Sequence, residues 1–358
     1  MPISAVDAIS PAFQHTKQQL LQPFRAGQWA KLALVGFLAG ELTSGGCGNF
    51  QMPTHTGGTR RFAAFAMPNI DPMMYVGLIA LLIVLGTVFY VLFLYVSSVM
   101  RFILFDSVVA RQCEIRRGWS RRQWPGLRYF VWQLLFLLAM VVGLTILVGI
   151  PVAFAFAAGW LKQPNQHMAP LILGGMALFL AVMAFVLLWL VVHVLTKDFV
   201  VPQMALEGIN AFEGWRRLLP RLKSEKGGYA GYLGLKVVMA IGAAVVVGIV
   251  ATIVILVMLI PVGGFGAVVV LAGKSAGLQW NLYTITLAVV VGCILLAAIF
   301  YVIALVSVPA IVFFPAYSIY FFASRYPALD TLLYPAPPIP PQMPLTPPPL
   351  PPEPQPIG

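Results

Sequence analysis

KDFVVPQMALEGINAFEGWRR, residues 197–217, interrupts two long apolar runs with the densest mixture of charge, proline and aromatic residues in the chain. A looser copy, RFILFDSVVARQCEIRRGWSR, occupies residues 101–121, and VPAIVF at 308–313 resembles VPQMAL at 201–206. Each stretch follows an apolar run long enough to cross a bilayer. They read as basic elbows at which a spanning helix ends and the chain turns back.

Composition agrees with this reading. The 358 residues are 60% hydrophobic and only 9% charged, against roughly a quarter charged in soluble domains. The net charge of +11 is gathered between apolar runs, which fits the topology rule for membrane proteins and argues against a nucleic-acid partner. Cys47, Cys113 and Cys293 are far apart and match no metal-binding spacing. Residues 1–28 lack the continuous apolar core of a cleavable signal and form an N-terminal, interfacial segment. Within it, Phe13, Leu20, Leu21 and Phe24 recur at helical spacing, as in a helix lying in the headgroup layer or packed on the protein's own loops.

Five strong runs, 73–98, 129–156, 170–196, 233–261 and 282–308, exceed the ~20 residues that a spanning helix needs. A weaker run at 29–45 completes six, with Lys31 reaching the inner headgroups and Glu41 the outer ones. Its alternative is a re-entrant segment. The short run 264–272 is too brief to cross and is expected to cover the outer face. The connections 101–128 and 197–236 each carry seven Lys and Arg, whereas 157–169 and 262–281 carry one each. Seven against one, twice, makes the elbows cytoplasmic. The predicted architecture is an all-α polytopic bundle of six spans over 29–328, in the bacterial inner membrane, with both termini cytoplasmic. Residues 329–358 form a proline-rich tail, with 13 prolines in 335–358. It should be extended polyproline II, a solvated spacer with a possible protein partner through its PxxP spacings.

The first two elbows superpose with a shift of 96 residues, bringing Gly118-Trp119 onto Gly214-Trp215 and Arg101 onto Lys197. Pro202 matches Pro309 of the third, partial copy. Pro202 is expected to stop the spanning helix, because it lacks an amide donor and crowds the preceding turn. Leu206, Ile209, Phe212 and Leu219 are spaced for the apolar face of the interfacial helix that follows, whose end Trp215 would anchor at headgroup depth. Pro202, Trp119, Trp215 and Pro309 are thus structural elbow residues. A small-residue ridge, Ala240, Ala244, Gly248 and Thr252, suits close helix packing.

Ionisable groups at membrane depth invite a functional reading. His193 is the titratable residue well inside a strong run, and Lys236 can snorkel to the interface. Asp198 and Glu207 lie beside arginines, as does Asp106, where salt bridges compete with a substrate site. His193, Asp198 and Glu207 are the functional candidates. No hydrolase, protease or nucleotide-binding motif is present, so no catalytic, cofactor-binding or metal residue is assigned and no cofactor is implied.

QPFRAGQWAKLALVGFLAGEL (22–42), GGCGNF (45–50) and KDFVVPQMALEG (197–208) resemble an uncharacterised family of six-helix bacterial and archaeal integral membrane proteins. That family is akin to the membrane domain fused to some glycerophosphodiester phosphodiesterases. The likeness spans about residues 10–325. No stretch is long enough to house the phosphodiesterase domain itself, so the resemblance implies a membrane module and no hydrolase activity. The functional expectation is a non-enzymatic module that organises membrane lipids or partner proteins. A small-solute or lipid transporter is the alternative, and a membrane-bound lipid enzyme the third reading.

Overall fold

A computed structural model describes residues 3–41, 72–162, 164–275 and 282–334. Within them the chain is helical, with no strand. Two short helices, α1 (Ile9–Leu21) and α2 (Ala26–Leu38), precede the long helices α3 (Pro72–Val109), α4 (Ile115–Ala157) and α5 (Met168–Leu195). One π turn, Thr196–Val200, joins α5 to α6 (Val201–Glu207). Then come α7 (Ala211–Ser224), α8 (Lys226–Ser275), α9 (Leu282–Ala323) and α10 (Pro327–Leu333).

Five of these elements are long and apolar enough to cross a membrane, over 79–109, 115–157, 168–207, 226–260 and 289–323. Their most apolar windows are only 0–11% buried against protein. Leu138, Ile150, Leu173, Leu188, Val246 and Ile253 all point outward. In water such a surface would be untenable; in lipid it is the expected solvated face. At 31–43 residues each is longer than the ~20 residues that cross the hydrocarbon core, so each projects beyond it.

The protein core lies at one end, where the elbows meet. There Phe102, Phe199, Tyr232, Tyr317, Phe321 and Phe322 are fully buried. The Asp106 carboxylate accepts two hydrogen bonds from the Arg122 guanidinium, both 2.6 Å, and Arg122 Nη1 donates to the Ala205 carbonyl at 2.6 Å. The bidentate pair fixes Arg122 within the first elbow, and its bond to the Ala205 carbonyl ties that elbow to the second.

Several expectations need correction. The five strong runs are helices long enough to cross, and the sixth segment, 29–45, is described only as far as residue 41. The described part of the first span is the 13-residue α2, about 20 Å long, packed against α3 and α9. Glu41 does not reach outer headgroups: it is 4% exposed and paired with Lys197 at the elbow end. The rest of that span, its glycine-rich loop with Cys47 and His55, and the proline-rich tail lie outside the described residues. The run 264–272 is no separate cover, since α8 continues through it to Ser275.

Pro202 does not end its helix. Its ring would crowd the Asp198 carbonyl of a regular α turn, and the wider π turn relieves this, with Val201 N–H bonding the Thr196 carbonyl. Gln203 Nε2 donates to the Phe199 carbonyl at 3.1 Å. The actual stop is Gly208, at φ +66°, where a residue without Cβ is favoured. Helix α9 likewise runs through Pro309 and Pro315.

The buried face of α7 is Ala211, Gly214 and Leu218, whereas Phe212 and Leu219 are exposed. Small residues face inward because the helices touch there: a Cβ on Gly214 would lie 2.7 Å from Val200 Cγ1. Gly118 abuts Ile103 in a similar way, at 3.1 Å. The two Gly-Trp pairs therefore seat comparable contacts, though Trp119 lies within the uninterrupted α4 and Trp215 on the separate α7. Neither ring is an outward anchor. Trp215 Nε1 donates to Thr196 Oγ1 at 3.0 Å, and Trp119 packs edge-on against Tyr95. Nothing lies within 4 Å of a Cβ built at Gly248, so the small-residue ridge makes no close contact at that point.

Helix α1 packs on α9 with a mixed face inward, Ala12 and Leu20 beside three polar groups. His15, Thr16 and Gln19 are buried, while Phe13, Leu21 and, just beyond the helix, Phe24 are exposed. His15 Nε2 donates to the Val108 carbonyl at 2.8 Å, and its Nδ1 lies 3.1 Å from the Tyr320 hydroxyl. That hydroxyl donates to Nδ1 when the ring is neutral. Burial, above all, lowers the imidazole below its usual 6.5, with Arg111 acting in the same direction and the Val108 carbonyl opposing. The folded state thus binds its proton later than the unfolded one. The stability contributed by neutral His15 is full above pH ~6.5 and is lost as pH falls from there through the lowered folded value. The protection of α1 amides, taken relative to their intrinsic exchange rate at each pH, should fall on acidification from pH 7.5 to 5.5. The same shift in His15→Gln should be much smaller; an equal shift would remove His15 as its cause.

Candidate functional site

The π turn places Lys197 and Asp198, consecutive in sequence, in the protein interior beside different partners. Lys197 Nζ pairs with the Glu41 carboxylate just beyond α2. Asp198 Oδ2 accepts from Lys236 Nζ of α8 and from the Tyr232 hydroxyl, the latter at 3.0 Å. Asp198 is 3% and Lys236 9% exposed. Charges this buried persist only when paired and hydrogen-bonded, so the two pairs define where α2, the π turn and α8 must sit. The aromatic wall beside them is tight: Tyr232 stacks on Tyr317 at 5.0 Å and on Phe321 at 4.6 Å between centroids.

Arg101 of α3 supplies a third cation, 7% exposed. Its Nη1 donates to the Tyr129 hydroxyl at 2.6 Å and its Nη2 to the Ala39 carbonyl at 3.0 Å. Its Nε–H has no acceptor among the described residues. Between Arg101, Lys197, Glu41, Asp198 and Ser318 lies a cavity of about 30 Å³. This buried layer is the candidate site.

Of the residues singled out from sequence, Asp198 belongs to the layer and Pro202 lines its cavity. His193 sits about a turn away, half-buried, its ring stacked with Phe136 at 6.4 Å. Glu207 is elsewhere. Nine residues further along a nearly continuous helix, or about 14 Å, it accepts from Arg217 and from the Tyr326 hydroxyl at the surface. The three do not form one constellation. Glu41, Arg101, Tyr129 and Tyr232 were missed as site residues. The usable signal was charge matching: Glu41 stands alone in an apolar segment, and buried lysines elsewhere require a carboxylate.

A second feature is the surface around the layer. Arg116, Arg117 and Arg121 on α4, and Arg216 and Lys223 on α7, are exposed, as are Lys17 and Arg25 beside α1. Exposed aromatics alternate with them: Trp124 at 73%, Phe13 and Phe212 each at 63%. Cations beside outward aromatic rings suit the headgroup level of a bilayer. Among the described residues no three His, Cys, Asp or Glu come together as metal ligands would.

The chain belongs to a family of unknown function, DUF7544, matched over residues 3–332. No curated protein and no solved structure matches it.

Proposed function

We propose that this multi-pass membrane protein is a non-enzymatic module that gathers anionic lipid around its basic end. The carrying observation is α1, which buries His15, Thr16 and Gln19 and leaves Phe13, Leu21 and the neighbouring Phe24 outward beside Lys17 and Arg25. Ser10, Gln14 and Gln18 share that outward side, a mixture of apolar, polar and basic groups that suits the headgroup level of a bilayer. The exposed arginines of α4 and α7 extend the same surface. A non-catalytic role also agrees with Asp198 and Glu207 being committed to separate partners.

On this reading the basic end faces the cytoplasm of a bacterial inner membrane, the chain crosses six times, and the module shares ancestry with the domain fused to phosphodiesterases. The proline-rich tail is then a cytoplasmic spacer open to a protein partner. The transporter alternative draws support from the buried charge layer alone.

Native mass spectrometry of protein extracted from mixed phosphatidylglycerol and phosphatidylcholine bilayers tests the proposal. Anionic lipid should be retained preferentially. Replacing Arg116, Arg117 and Arg121 with Gln should weaken that retention, by up to about 100-fold at low salt if each cation contributes ~1 kcal/mol. Retained lipid that mirrors the supplied mixture in both proteins would remove the proposal.

A further inference from the structure

We infer that the cavity beside Arg101 holds one small monovalent anion, chloride foremost. Two independent observations lead there. The first is an orphaned donor. Arg101 is more than nine-tenths buried, and two of its nitrogens have acceptors while Nε–H has none among the described residues. A buried donor without an acceptor is a substantial penalty, and guanidinium cannot escape it by losing its proton.

The second is charge balance. The layer holds Arg101, Lys197 and Lys236 against Glu41 and Asp198, three cations to two anions among the described residues. Lys197 is paired with Glu41 and Lys236 with Asp198, so each pair is neutral overall. The surplus therefore rests with Arg101, beside the empty volume.

Size selects the ligand. About 30 Å³ is two to three times the ~10–15 Å³ that one water requires, so the space admits one or two water-sized species. A halide ion is of like size, whereas a phosphate group or a carboxylate-bearing metabolite is larger. Water would give Nε–H an acceptor but leave the charge uncompensated. An anion there would bind the end of α2, α3, the π turn and α9 at one point, since all four line the cavity. The inference does not rest on the lipid proposal: it concerns the interior of the layer and not its surface.

Melting of the full chain in detergent, with sodium chloride exchanged for sodium gluconate at constant ionic strength, separates binding from screening. Chloride and bromide should raise the midpoint saturably, by on the order of 3 °C at ten times the half-saturating concentration, and gluconate should not. Arg101→Gln should lose that response. Should this variant fail to fold, bromide-soaked crystals of the unmodified protein give an answer on their own, through an anomalous peak within contact distance of Arg101 Nε. Equal effects of all sodium salts, a halide response undiminished in Arg101→Gln, or ordered water without an anomalous peak at saturating bromide would each overturn the inference.

Discussion

Asp198→Leu is expected to destabilise the folded protein by about 3–5 kcal/mol, the usual effect of removing one partner of a buried ion pair. The substitution leaves Lys236 Nζ and the Tyr232 hydroxyl facing an apolar side chain, and neither can reach water without unpacking the Tyr317 and Phe321 rings. The informative comparison is Asp198→Leu combined with Lys236→Met. Replacing both charges with apolar groups removes the stranded cation, so the double variant should recover most of the loss. Reversible unfolding in mixed micelles measures both. If the single variant falls by less than about 1 kcal/mol, the pair is not the constraint described above.

Gly126→Val should cost about 3 kcal/mol for a different reason. A Cβ at Gly126 would lie 2.6 Å from Val99 Cγ2 and 3.1 Å from Val99 Cα. The methyl could turn aside, but the backbone atom cannot, so α4 would have to move off α3 along their shared contact. Overpacking of this kind outweighs the ~1 kcal/mol by which a helix prefers other residues to glycine. Gly149 on the same helix has nothing within 4 Å, and Gly149→Ala should be neutral or stabilising by up to ~1 kcal/mol. Equal effects at the two positions would mean that α3 and α4 are not closely packed.

What could be read from the residues divides along a physical line. Continuous apolar runs announce spanning helices because lipid imposes one requirement along their whole length, and all five strong runs are helices. The elbows were harder. Pro202 looked like a terminator because a π turn, which absorbs it, has no composition of its own. The inward face of α7 was misassigned to Phe212 and Leu219 because a membrane protein lets large apolar groups face outward and sets glycine and alanine at contacts. In a soluble helix the same letters would have been read correctly. Asp198 was picked out as an ionisable group near lipid, but its partners come from α8, 34 to 38 residues away, and no local spacing encodes such a meeting. Glu41 was misplaced across the membrane for the same reason: its partner Lys197 is 156 residues distant.

The contacts of α1 also bear on the order in which the molecule can be completed. Tyr320 follows its partner His15 by 305 residues, and Ser324 follows Ile3 by 321. At ~5–20 residues per second of synthesis, α1 waits roughly 15–60 s for the surface it packs on. Throughout that interval Phe13 and Leu21 have a resting place among headgroups, while His15 lacks its partner Tyr320 on the later helix. A helix made 305 residues before its partner is among the last elements to be seated.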